Sequence, residues 1–182
     1  MKNVLRYLMM AVMAVCFAVP GINTAEAATV ALLPLVNNVE GDEIANQVFY
    51  KEAINVLNSK KGFLVVENDK LNAAIDAANI TDNVPNKAAL AKIAKDGDVD
   101  IVICLQIDAL EDNPVFPSNE RILELDMEGR AVAYNRLNGA FYDHKFGSDK
   151  QIDETLTSRW DWVHEEWGRQ VRLEIDRILR AK

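Results

Sequence analysis

The polarity pattern divides the chain into alternating strands and helices. Thr29 to Leu35 is a run of apolar, mostly branched residues with no polar alternation, the signature of a central strand covered on both faces. Pro34 cannot donate to a sheet ladder, so its place near the end of the run marks where the strand leaves the sheet. Val36 to Glu43, with Asn37, Asn38, Gly41 and Asp42, reads as a loop. From Ile44 to Ser59 the apolar residues Ile44, Val48, Phe49, Ala53, Ile54, Val56 and Leu57 recur near helical spacing. Lys60-Lys61-Gly62 closes that helix with cations at the negative end of its dipole and a glycine for the cap.

Phe63 to Glu67 is a short buried strand, and Asn68 or Asp69 then offers a side-chain oxygen to cap a helix from Lys70 to Ala78. A further helix spans Lys87 to Lys95. The turn Asp96-Gly97-Asp98 follows, with the glycine expected at positive φ. Asp98 to Asp108 is the most apolar strand of the chain. After a loop containing Pro114 and Pro117, Arg121 to Tyr134 alternates, with Leu123, Leu125, Met127, Ala131 and Ala133 on one face, as a half-solvated antiparallel strand does. Asn138-Gly139 predicts a hairpin returning as a strand from Ala140 to Phe146. Ser148 to Thr157 is polar and aperiodic. A final helix over 156–179 carries Trp160, Val163, Trp167, Val171, Ile175 and Ile178 in one stripe. The order β-α-β-α-α-β-β-β-α predicts an α/β fold, one mixed sheet of about five strands with helices packed against it.

Residues 1–27 form a secretory signal peptide by pattern: Lys2 and Arg6, an apolar run from Tyr7 to Val19, then the small-x-small triplet Ala25-Glu26-Ala27. The run is too short to cross roughly 30 Å of hydrocarbon. Met13-Ala14-Val15 is a poor approach to an acylation site, so cleavage after Ala27 is preferred over a lipid anchor at Cys16. Residues 28–182 are then expected to be one soluble domain, periplasmic or extracellular. The chain carries a formal net charge of −8, and the leader is itself basic, so the mature part is the more acidic. That disfavours nucleic acid and anionic lipid as partners. Cys104 stands alone after the leader, which excludes an internal disulfide, and its place in VDIVICLQI predicts a buried thiol.

VALLPLVNN, GFLVVENDKLNAAID, DGDVDIVICLQIDAL and the hairpin closing on RLNGAFYD together resemble a superfamily of bacterial envelope modules. It includes the penicillin-binding-protein activator lipoprotein B, the curli secretion channel lipoprotein and the N-terminal domain of the Tol-system propeller protein. The resemblance covers most of the mature chain. It implies an α/β module that binds proteins and catalyses nothing. This chain departs from the pattern in its leader, and in having Leu105-Gln106-Ile107 where a glycine is common.

Candidates for chemistry are sparse. His164 has Asp161 one helical turn before it, but no third ligand is evident, and a helix-surface pair is the simpler reading. His144 lies on another element. No G-x-S-x-G, Ser-x-x-Lys or glycine-rich phosphate loop occurs. Glu165-Glu166 and Asp126 with Glu128 read as solvating charge, and Asp96-Gly97-Asp98-Val99-Asp100 lacks the rest of a calcium loop. No catalytic residue, metal ligand or cofactor is therefore assigned.

Partner-binding candidates are Asn37, Asn38, Glu40, Asn68 and Asp69, which parallel strands one, two and three would bring to the edge where open α/β sheets hold ligands. Turn and cap chemistry explains the same residues. Trp162 is the remaining candidate. It lies about 200° around the helix from Trp160 and so off the apolar stripe. Either it is an exposed interface aromatic, or it packs under the 114–117 loop. The function expected is binding of another envelope protein in assembly or regulation of envelope machinery. The alternative is an envelope small-ligand binder or hydrolase with its site at the same strand ends.

Overall fold

In the computed structural model, which describes residues 27–39, 43–80, 83–116 and 119–181, the chain forms a mixed sheet with helices on both faces. Its strands are β1 (Ala28–Leu32), β2 (Val36–Asn37), β3 (Phe63–Val65), β4 (Ile101–Phe116), β5 (Asn119–Asn135) and β6 (Ala140–Asp153). Its helices are α1 (Glu43–Asn58), α2 (Asp69–Ala78), α3 (Lys87–Asp96) and α4 (Arg159–Arg180). The sheet order is β3-β1-β4-β5-β6, with β2 also paired to β4. β1, β2 and β3 run parallel to their neighbours, while β5 and β6 complete the sheet antiparallel. The expected element order is present, with the first strand divided in two. The leader predicted over residues 1–27 lies outside the described residues, apart from Ala27.

That division corrects the expectation that the strand ends at Leu35. Leu32 opposes Ile103 and Val36 opposes Gln106, so three residues on this strand bulge past two on β4. Pro34, lacking an N–H, sits in the bulge: before it Leu33 N donates to Ile103 O at 2.8 Å, and beyond it the ladder resumes, with Asn38 N donating to Ile107 O at 2.9 Å. Part of the predicted 36–43 loop is therefore strand.

The predicted loop around Pro114 is also strand. β2 stops at Asn37, so the far half of β4 pairs with β5 alone and is an edge where proline is tolerated. β6 likewise continues through the polar stretch to Asp153, because pairing with β5 supplies the order that polarity conceals. At the turn after α3 the positive φ falls on Asp98 (52°), whereas Gly97 is right-handed at −80°. Gly97 is instead needed for space: a Cβ there would stand 3.0 Å from Leu71 Cδ1.

Successive residues of the central strands point to opposite cores. Val30, Leu32, Ile101, Ile103, Leu105 and Ile107 join α1 and α4, while Ala31, Leu33, Val102 and Cys104 join α2 and α3. Trp167 ties the first core together, stacking on Phe49 at 5.0 Å and donating its indole N–H to Phe49 O at 3.0 Å. On the sheet's edge, Asp100 accepts from Thr29 N at 3.0 Å and from Thr29 Oγ1 at 2.9 Å, pinning β1 to β4.

Helix α4 corrects the reading of Trp162. Trp162 is only 4% exposed and belongs to the core, while Trp160, assigned to the stripe, is 48% exposed. Two neighbouring i, i+4 rows are buried: Val163-Trp167-Val171-Ile175 and Trp162-Glu166-Gln170-Glu174-Ile178. Such rows run oblique to the helix axis, so the buried surface drifts around the helix along its length. The second row is polar in its middle, which hid it from a hydrophobic pattern.

Those polar groups meet β6. Glu174, fully buried, accepts from Tyr142 Oη at 2.6 Å and from Arg177 Nη1 at 2.6 Å, and lies 3.1 Å from His144 Nδ1. Gln170 donates to Gly147 O at 3.3 Å and to Glu166 Oε1 at 2.9 Å. Burial works against the Glu166 charge, but Arg169, Ser148 and Gln170 outweigh it and hold the carboxyl below the ordinary glutamate range.

Two measurements test this packing. Trp162→Ala should cost about 3–5 kcal/mol and Trp160→Ala under about 1 kcal/mol in urea unfolding; equal losses would contradict the burial. Glu166 has a folded pKa below its unfolded one, so its stabilisation is present above the unfolded value and lost as pH falls through the folded one. Glu166→Gln should therefore flatten the acid limb of stability against pH, and an unchanged limb would count against the seam.

Candidate functional site

A polar groove of about 670 Å³ opens beyond the end of β2, where the sheet emerges from under α2 and α3. Asn38, Gln106, Asp108, Glu128, Arg130 and Lys145 line it. Its geometry starts from a β-bulge. The β4–β5 register shifts between Ile107 and Ala109, leaving Asp108 as the extra residue and turning it out of the ladder. Asn38 Nδ2 donates to Asp108 Oδ1 at 3.1 Å, and Gln106 Nε2 donates to the same oxygen. Both amides take Oδ1, which leaves Oδ2 without a donor among the described residues.

Gln106 is 5% exposed, and its Oε1 accepts from Val84 N at 3.0 Å, so the 83–84 loop, the bulge and Asn38 are one network. Gly129 makes room for it. A Cβ there would come within 2.6 Å of Gln106 O and 2.5 Å of the Phe146 ring, so only glycine lets β6 close against the bulge.

Charge in the groove is mixed. Arg130, opposite Gln106 in the register, forms a two-pronged pair with Asp143, Nε to Oδ1 and Nη2 to Oδ2, each 2.7 Å. That pairing holds the Asp143 carboxyl below the usual aspartate range and raises Arg130. Lys145 stands beside Arg130 on β6 with no hydrogen-bond or ion-pair partner among the described residues. A fixed carboxylate, the Lys145 ammonium and amides of both polarities equip this surface for hydrogen-bonded recognition of polar groups.

The residues singled out from the sequence do not assemble as one site. Asn38 is in the groove. Asn37 shapes the turn beside it, its Oδ1 accepting from Val39 N at 2.8 Å. Asn68 caps α2, accepting from Leu71 N at 2.8 Å, and Asp69 is the first residue of that helix. Both sit beyond β3, with β1 between them and β4. Glu40 lies outside the described residues, and Trp162 is core.

Gln106, Asp108, Arg130 and Lys145 were missed. The one legible signal was a glutamine inside the most apolar strand; the bulge that turns Asp108 outward has no sequence mark. Cys104 is buried as expected, and burial pushes its thiol up to about 12. His164 packs between Trp160 and Phe49, at ring distances of 6.0 and 6.2 Å. Among the described residues no group of three or more His, Cys, Asp and Glu side chains is placed to hold a metal.

Gln106→Ala should free the half-buried Val84 N and cost about 1 kcal/mol for the hydrogen bond lost. Amide exchange at Val84 should accelerate relative to Val102, which lies deeper in the strand, and an unchanged rate would show that the loop is held otherwise.

No protein-family model matches this sequence, and no curated protein does. Solved structures do match. The hypothetical protein CT253 from Chlamydia trachomatis has a TM-score of 0.60 at 12% identity, over 85% of this chain and 99% of its own. Lipoprotein GNA1162 from Neisseria meningitidis has a TM-score of 0.50 at 11% identity, over the same shares. The LpoB C-terminal domain from Salmonella enterica reaches 0.43 at 14% identity, over 72% of this chain and 87% of its own. At these identities the likeness to CT253 and GNA1162 is one of fold: this chain has an α/β fold that a bacterial lipoprotein also adopts.

Proposed function

We propose that this chain is an exported envelope protein that binds another envelope protein and does no chemistry on it. The observation that carries the reading is the bare sheet face beside the groove. Strands β4, β5 and β6 are 16, 17 and 14 residues long and run well past α2 and α3. The face away from α4 presents Glu111, Glu124, Glu128, Lys145 and Asp149 as exposed side chains. A long, rigid, hydrogen-bonding surface with a polar groove at its root suits protein recognition better than enclosure of a substrate.

The leader pattern, and the fold shared with the lipoprotein GNA1162, support an envelope location. Among the described residues no helix is long and apolar enough to cross a membrane. Cleavage after Ala27 would release the chain at the start of β1, whose Ala28 N donates to Gly62 O at 3.1 Å. Acylation at Cys16 would tether it instead, as a lipoprotein such as GNA1162 is tethered. The likeness to the curli channel and the Tol-system protein belongs to the same reading.

Photo-crosslinkers at Asn38 and Lys145, with Arg172 on the exposed side of α4 as control, test this in cells. Asn38 and Lys145 should recover one shared envelope protein that Arg172 does not. Recovery of nothing, or of one set from all three positions, would overturn the proposal.

A further inference from the structure

A second, smaller concavity of about 310 Å³ lies beyond the carboxyl ends of β1 and β3. Topology creates it. The chain after β1 and β2 enters α1, on the α4 side of the sheet, and the chain after β3 enters α2, on the opposite side. Adjacent parallel strands whose following helices go to opposite faces leave a crevice between their ends, and open α/β sheets hold ligands in such crevices.

The floor is apolar, formed by Leu32, Leu71 and Ile75. The rim is polar and of one sign: Tyr50, Glu67, Asn72 and Asp76, with no basic residue among the lining side chains. Asn72 and Asp76 are one turn apart on α2 and so share its face. The side chains of Glu67, Asn72 and Asp76 have no hydrogen-bond or ion-pair partner among the described residues. Tyr50 is held in place by its hydroxyl, which donates to Leu32 O at 3.2 Å. Burial, and then the Glu67 charge, raise that hydroxyl above the ordinary tyrosine value, so it stays neutral.

The size limits the occupant. Ligand pockets run from about 300 to 1,000 Å³, so a volume near the lower bound admits a group the size of one long side chain. The combination of apolar floor and anionic rim suits a stem that buries its methylenes and leaves its cation at the mouth. We propose that this crevice binds a primary ammonium or guanidinium on an apolar stem, the stem against Leu71 and Ile75 and the cation between Glu67 and Asp76. The chemistry is shared by a lysine or arginine side chain of a protein and by a free alkylamine. It does not depend on the partner reading above, which rests on the bare sheet face and the groove beyond β2.

Amide resonances of the protein titrated with pentylamine, N-acetyl-lysine amide and the neutral control pentanol test the proposal. Pentylamine or the lysine derivative at millimolar concentration should shift Leu71, Ile75 and Tyr50 saturably. Raised salt should weaken the effect, because the carboxylates are exposed. The double variant Glu67→Gln, Asp76→Asn should weaken binding about tenfold, as expected for the loss of two exposed charge pairs. Its unchanged resonance dispersion elsewhere will show that it folds. Tighter binding of the lysine derivative assigns the site to protein side chains, and tighter binding of pentylamine assigns it to small amines. No saturable shift with either amine, equal shifts with pentanol, or full binding by the double variant overturns the proposal.

Discussion

From Ile101 to Ile107 β4 is flanked on both sides, by β1 and β2 on one, with the bulge opposite Cys104 and Leu105, and by β5 on the other, and its side chains are buried on both faces. This half-strand is the one element that both helical layers and both sheet halves touch. Its polar backbone tolerates burial because the ladders satisfy it, and its apolar side chains supply each of the two cores. Beyond Ile107 the same strand loses its partner on one side and its cover on one face. The enclosed half holds the fold, and the exposed half makes a surface available.

The second structural constraint is how α4 covers the antiparallel half. An amphipathic helix with a single apolar stripe would leave the β6 side wet. Here a polar row fills that gap, with Glu166, Gln170 and Glu174 meeting Ser148, Gly147, Tyr142 and His144. Gln170 reaches a backbone carbonyl of the edge strand, so α4 also blunts part of an edge that would otherwise invite pairing with another chain. Buried carboxylates are expensive unless hydrogen-bonded, and each of these has donors. The arrangement specifies register as well as contact, since a helix shifted by one turn would part Glu174 from Tyr142 and His144.

Groove and crevice both follow from the sheet order. Because β1 separates β3 from β4, the strand ends form two places and not one, each with its own chemistry. Beyond β2, a bulge in β4 and a buried glutamine hold a carboxylate in the groove that Lys145 also lines. Beyond β1 and β3, helices departing to opposite faces leave an apolar floor under an acidic rim.

Much was legible in the residues. The α/β class, the element order, the buried Cys104, the Asn68 cap and the Asn138-Gly139 hairpin all follow from local pattern and turn chemistry, because each depends on near neighbours in the chain. The place of Asn38, just past the carboxyl end of a parallel strand, was also inferable from the order of elements. Tertiary structure decided the rest. Resumption of the ladder past Pro34, and strand at Pro114, depend on which neighbours β4 has along its length. Trp162 was set off the stripe because a second row, polar in its middle, is buried against β6, and only the packing of α4 on that strand reveals it. Asp108 and Gln106 come together through a one-residue register shift against β5, and Lys145 and Arg130 through strand pairing. Those are relations between segments far apart in sequence, so no window along the chain contains them.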